Sequence, residues 1–195
     1  MERTYETSRS AAFPWHEVRV GALVGVVGAV IMGVYAMIAS ATIHDTGFFT
    51  PLHHIASALV APDAMMRSME AGMAGDTFAI SAGPALLGLA LHLVTGAFWG
   101  AIFGLSVATA RLHGAGGLIA GIVYGLAVMV VMAFVALPLI ASLFGGGDPI
   151  SDMPQLAGWW TFTIEHAIYG AVLGLWALRR GAERTQELER GSSGP

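Results

Sequence analysis

Two histidines and one glutamate sit where the surrounding residues give them little company. His92, Glu165 and His166 lie inside long apolar runs, where an imidazole or a carboxyl is costly to bury and so marks a candidate site. Each histidine heads a matching string. His92-Leu-Val-Thr-Gly96-Ala-Phe-Trp-Gly100 and His166-Ala-Ile-Tyr-Gly170-Ala-Val-Leu-Gly174 both read His-x-x-x-Gly-x-x-x-Gly. Residues four apart share a helix face, so each imidazole has small residues beside it. Three chemistries fit. Two neutral imidazoles on different helices can hold a haem b iron from both sides, or another metal ion. With Glu165 they can relay protons or ions. Otherwise the three hydrogen-bond across helices and do nothing more, an interaction worth about 0.6 kcal/mol on average in lipid.

A second cluster lies between the apolar runs. His44, His53 and His54, with Met65, Met66, Met69 and Met73, combine imidazole and thioether donors of the kind that suit copper. The methionines serve equally well as flexible filler beneath a surface helix. His16 and His113 fall beside charged or polar residues and read as solvated. With no cysteine in the chain, disulfides, thiolate metal sites, iron–sulfur clusters and covalently attached haem are excluded. None of the Gly-x-Ser-x-Gly, His-Glu-x-x-His, phosphate-loop or dinucleotide signatures occurs. A non-enzymatic role is expected.

The elements that must position these residues follow from the apolar runs. The 195 residues are 55% hydrophobic and only 11% charged, more apolar surface than a soluble chain of this size can hide. The spacing predicts an all-α, integral membrane four-helix bundle with spans at about 18–42, 84–110, 117–143 and 158–178, each long enough to cross a bilayer. Residues 1–17 form a short cytoplasmic segment, the membrane domain covers 18–180, and 181–195 read as a flexible tail. Pro138 predicts a kink late in the third span. The loop 43–83 is long enough to hold structure of its own; residues 53–60 and 63–73, broken at Pro62, predict short interfacial helices. Gly21 and Gly25 in the first span echo Gly117, Gly121 and Gly125 in the third. Two readings stay open, a duplicated helical hairpin or glycines kept independently for close helix packing.

Orientation follows from the arginines, which make up all nine basic residues. Arg3, Arg9, Arg19, Arg111, Arg179, Arg180, Arg184 and Arg190 fall on one side of a four-pass topology and Arg67 alone on the other. By the positive-inside rule both termini are cytoplasmic, in the inner (plasma) membrane. His92 and His166 each lie about eight residues from the outer ends of their spans, roughly 12 Å deep at the helical rise. A net charge of −4 without a basic patch excludes nucleic acid as a partner. Membrane lipid is the expected surrounding, and four short helices suit a homo-oligomer or a larger membrane complex.

The arrangement resembles the small four-span bacterial inner-membrane proteins of the YagU type. The resemblance rests on the glycine-rich first span (Gly21 to Gly33), the long outer loop and a third span running into Pro138. It continues through Asp148-Pro149 and Met153-Pro154 to a last span with His166 that ends at Arg179 and Arg180. It implies membrane placement and no site residues.

Overall fold

The computed structural model describes residues 13–60, 62–110, 112, 114–145 and 147–192, the stretch from 181 onward as backbone only. Arg3, Arg9, Arg111 and His113 lie outside the described residues. Among those residues every regular element is a helix and there is no strand. Four helices are long and apolar enough to cross a membrane. They are α1 (Trp15–Thr42), α4 (Ala82–Ala110), the run Gly114–Phe144, and the apolar part Trp159–Arg180 of α9 (Trp159–Ser192). At 22 to 31 residues apiece they extend roughly 33 to 46 Å at the helical rise.

Local chemistry sets the boundaries. Pro84 sits in the first turn of α4, where its missing N–H removes no helical bond. The third long helix is α5 (Gly114–Val131), a π-helical turn over Met132–Ala136, and α6 (Leu137–Phe144). The wide turn stands just ahead of Pro138. A proline ring there would press on the carbonyl four residues back, and the i to i+5 bond from Leu137 N–H to Met132 C=O lets the helix continue past it. Gly145, at φ +71°, caps α6 in the left-handed conformation that favours glycine. Two differences from the expected boundaries follow from composition. Short helices α7 (Gly147–Ser151) and α8 (Met153–Leu156) occupy the second loop, the latter with Pro154 in its first turn. Beyond Arg180, α9 continues to Ser192 through a stretch in which the helix formers Ala, Glu, Arg, Gln and Leu predominate.

The long helices associate in two pairs, α1 along α4 and α5 along α9. Glycines set both approaches. A methyl placed on Gly25 would lie 2.8 Å from Gly100 Cα and nearer still to the Gly96 carbonyl. On Gly125 it would lie 2.7 Å from Gly170 Cα and nearer still to the His166 carbonyl. The pairs join asymmetrically, because α1 also packs along α9 whereas α4 and α5 barely meet. Tyr124 and Tyr169 reach from the second pair to the first, donating to the carbonyls of Trp99 and Gly96 at 2.7 Å each.

The long loop folds over one end as α2 (Thr50–Ala56) and α3 (Asp63–Met73). Gly88 lets the backbone of Leu52 on α2 rest directly on α4. Ser68 on α3 pairs with Thr50 on α2 at 2.8 Å. His54 donates from Nε2 to the Pro149 carbonyl and ties α2 to α7. At the opposite end Arg180 on α9 binds Glu17 on α1 at 2.9 Å. Leu23, Leu86, Val123 and Phe134 are all more than 60% exposed on the outer faces of the long helices, an apolar surface of the kind lipid covers.

Candidate functional site

His92, Glu165 and His166 come together in the interior of the bundle. All three line one cavity of about 380 Å³, with α4 contributing Thr95 and Trp99 and α9 contributing Phe162 and Tyr169. The rest of the wall is apolar, from Met32, Met132, Leu137, Ile140, Phe144 and Met153 among others. A pocket of that size falls in the range of small-molecule sites.

Each imidazole is held by a backbone carbonyl. His92 Nε2–H donates to Ala29 C=O on α1 at 2.8 Å. Its ring stands against Gly33, where a methyl group would lie only 3.1 Å from Nε2. His166 Nδ1–H donates to Phe162 C=O one turn earlier, also at 2.8 Å. A carbonyl can only accept, so each nitrogen that faces one carries the proton. His92 Nδ1 and His166 Nε2 are left as lone-pair acceptors in the neutral rings.

Glu165 is bound differently. It is 8% exposed, and no donor among the described residues reaches its carboxyl. The carboxyl borders two cavities. Besides the larger one it borders a smaller space of about 80 Å³, where Ser40, His44, Thr46, Thr50, His54 and Thr161 interrupt a mainly apolar wall that includes Leu52, Ile55 and Leu156. His92 also borders both. With these polar groups the space is large enough for a few waters. Part of its wall is fixed by side-chain bonds, Ser40 to Thr46 at 2.8 Å and His44 to Thr161 at 2.9 Å. An acidic group thus stands between a cavity with several hydroxyl and imidazole groups and one with few.

The histidines of the long loop go to separate partners. His44 bonds Thr161, His54 bonds Pro149, and His53 Nε2 faces both the N–H and the carbonyl of Ser81, at 3.1 and 3.2 Å. His53 Nδ1 is buried with no partner among the described residues. Burial holds both His53 and His54 below the usual histidine range. Met65 is buried while Met66 and Met73 are exposed, so the thioethers of α3 face different ways. Among the described residues no group of three or more His, Asp or Glu is gathered as a metal cage would require.

No protein family, curated protein or solved structure is matched by this chain. The site therefore has to be read from its own chemistry. Sequence reasoning named the three central residues and missed those around them. Thr161 and Tyr169 lie four residues on either side of Glu165, on the same face of α9. That spacing of polar-tipped side chains within an apolar run was the available signal.

Proposed function

We propose that the chain is an integral protein of the inner membrane, crossing it four times with both termini cytoplasmic. Its role is transport-related or accessory rather than enzymatic, and the site is His92, Glu165 and His166 toward the outer face. The four long apolar helices and the clustering of arginine on one side support the placement. The α1/α4 and α5/α9 pairs, with equivalent glycine contacts, support two repeated hairpins related by an axis along the membrane normal. Lipid covers the exposed apolar faces, and the bundle works as a homo-oligomer or within a larger complex.

One observation carries the reading. Glu165, buried and without a partner among the described residues, borders both cavities together with His92. A carboxyl used only for packing has its oxygens bonded, because an unmet polar group costs about 1–3 kcal/mol. This one faces open space on two sides, as a group that takes and gives a proton or ion does. The experiment is proton flux in liposomes under an imposed gradient. Wild-type protein conducts and Glu165→Gln does not; a wild type that carries no flux ends the reading.

A second reading has its own support. His92 and His166 share one cavity and each has a backbone-anchored ring with a bare second nitrogen, the state of an imidazole ready to ligate. On that reading the protein is an electron-transfer protein with b-type haem or a metal ion. Its sign is a Soret band in the purified protein that is lost in His92→Ala and His166→Ala.

A further inference from the structure

The larger cavity has a wall, a mouth and a polar end, and the three together specify an occupant. Leu59 and Phe144, 47% and 62% exposed, stand where the lining reaches the surface. The same lining takes residues from α4, α5 and α6, and α4 and α5 barely meet. With exposed apolar side chains at its rim, the opening admits what dissolves in hydrocarbon. Deeper in, the lining has no arginine among the described residues, and the chain has no lysine. An anionic head would find no counter-charge there. What the cavity does offer is the Glu165 carboxyl, 8% exposed and without a partner among the described residues, and the second nitrogens of His92 and His166. Trp99, Phe162 and Tyr169 line it as well, and aromatic rings attract a cation through the quadrupole of their faces.

We infer that the cavity binds a lipophilic organic monocation, which enters sideways between α4 and α5 and pairs with Glu165 in exchange for a proton. The inference rests on the transport-related reading above and names its substrate class. The exchange balances: a protonated carboxyl and the cation give an ion pair and one released proton. No covalent bond other than O–H changes. The smaller cavity is also lined by Glu165, and the hydroxyl and imidazole groups of Ser40, Thr46, Thr50, Thr161, His44 and His54 in its wall give the proton stepping points toward the loop end. The other titratable groups facing Glu165 across the two cavities are His92 on α4, His166 and Tyr169 on α9, His54 on α2 and His44 after α1. Tyr169 spends its hydroxyl on the Gly96 carbonyl. His44 and His54 are engaged with Thr161 and Pro149. Glu165 is the one acidic side chain among them, so the proton that the cation displaces is assigned to it.

The test uses the full chain in non-ionic detergent and two probes of matching shape and opposite charge, tetraphenylphosphonium and tetraphenylborate. Equilibrium dialysis against protein-free micelles removes the contribution of detergent. Wild-type protein is expected to bind the phosphonium saturably, to release one proton per cation in weak buffer, and to bind the borate no better than empty micelles do. Removing the counter-charge with Glu165→Gln lowers cation affinity by roughly thirtyfold or more, as for a truncated buried charge pair. Glu165→Asp, which keeps the charge, retains saturable binding. Circular dichroism and gel filtration of both variants show that they remain folded. Equal binding of the borate, or unchanged phosphonium affinity in Glu165→Gln, overturns the proposal. Proton flux in liposomes separates the two levels of inference. A wild type that conducts protons yet ignores the phosphonium sinks the substrate class alone, and one that does neither sinks both.

Discussion

At the level of single residues the buried histidines of the loop end make a stability device with a definite sign. His54 donates to the Pro149 carbonyl and is held neutral by burial, and His53 beside it is shifted the same way, with Arg67 adding repulsion. Both therefore bind protons less readily folded than unfolded. Their contribution to stability is complete above the ordinary histidine value of 6.5 and is lost as the pH falls below it, because the opened state then takes up more protons. Hydrogen exchange is expected to be slow in α2 and α7 at pH 8 and faster, after correction for the intrinsic rate, at pH 5. Changing His54 to glutamine supplies an amide donor that does not titrate and should shrink the difference, leaving the part due to His53. Identical corrected protection at both pH values would contradict the assignment. The central residues were legible because charge and imidazole are rare in oily sequence. Their partners were not, since Ala29 and Phe162 act through backbone carbonyls, which no side-chain type announces.

Helix pairs are where glycine position matters. Gly25 and Gly121 hold equivalent places, each with its partner helix's backbone where a side chain would go. Alanine at either position overpacks the seam and should destabilise by about 1–3 kcal/mol. Gly116, in the first turn of α5, has open space around it. Alanine there should be neutral or stabilise by up to about 1 kcal/mol, through helix propensity. Unfolding in mixed micelles titrated with dodecyl sulfate reads the contrast. Equal effects at Gly25 and Gly116 would remove close backbone approach as the cause. Much of the element order could be read from sequence: apolar length gave the four long helices, and α3 occupies the 63–73 stretch expected for it. The π-helical turn was legible only as a kink, because Pro138 tells that the bond ladder must break and not how the chain re-forms it. Helices α7 and α8 were illegible, being single turns stabilised by packing on α6 and α9.

The whole molecule is asymmetric in a way that its repeated strings do not suggest. If two hairpins were placed about a true twofold axis, the α1/α9 seam and the α4/α5 seam would be equally tight. Instead α1 packs along α9, with Arg180 and Glu17 joined at one end, and α4 parts from α5 over the cavity. The difference lies in what fills the second seam, namely the loop-end residues Ile55, Leu59 and Ile150 and the α6 segment beyond the π turn. Ile55 and Leu59 come from the connection of the first hairpin and Ile150 and α6 from the second, so the two halves supply unlike pieces. An open seam can admit a ligand from lipid only if the helices stand upright in a bilayer with the loop cap outside, and that arrangement has a direct test. The chain has no cysteine, so single cysteines can be introduced without background. Asp76 at the loop end and Ala115 beside the α4–α5 turn are both exposed. In intact cells a membrane-impermeant maleimide should label cysteine at position 76, and should label position 115 only after the membrane is opened. Labelling of position 115 from outside would invert the molecule, put the smaller cavity on the cytoplasmic side and reverse the direction in which Glu165 exchanges its proton.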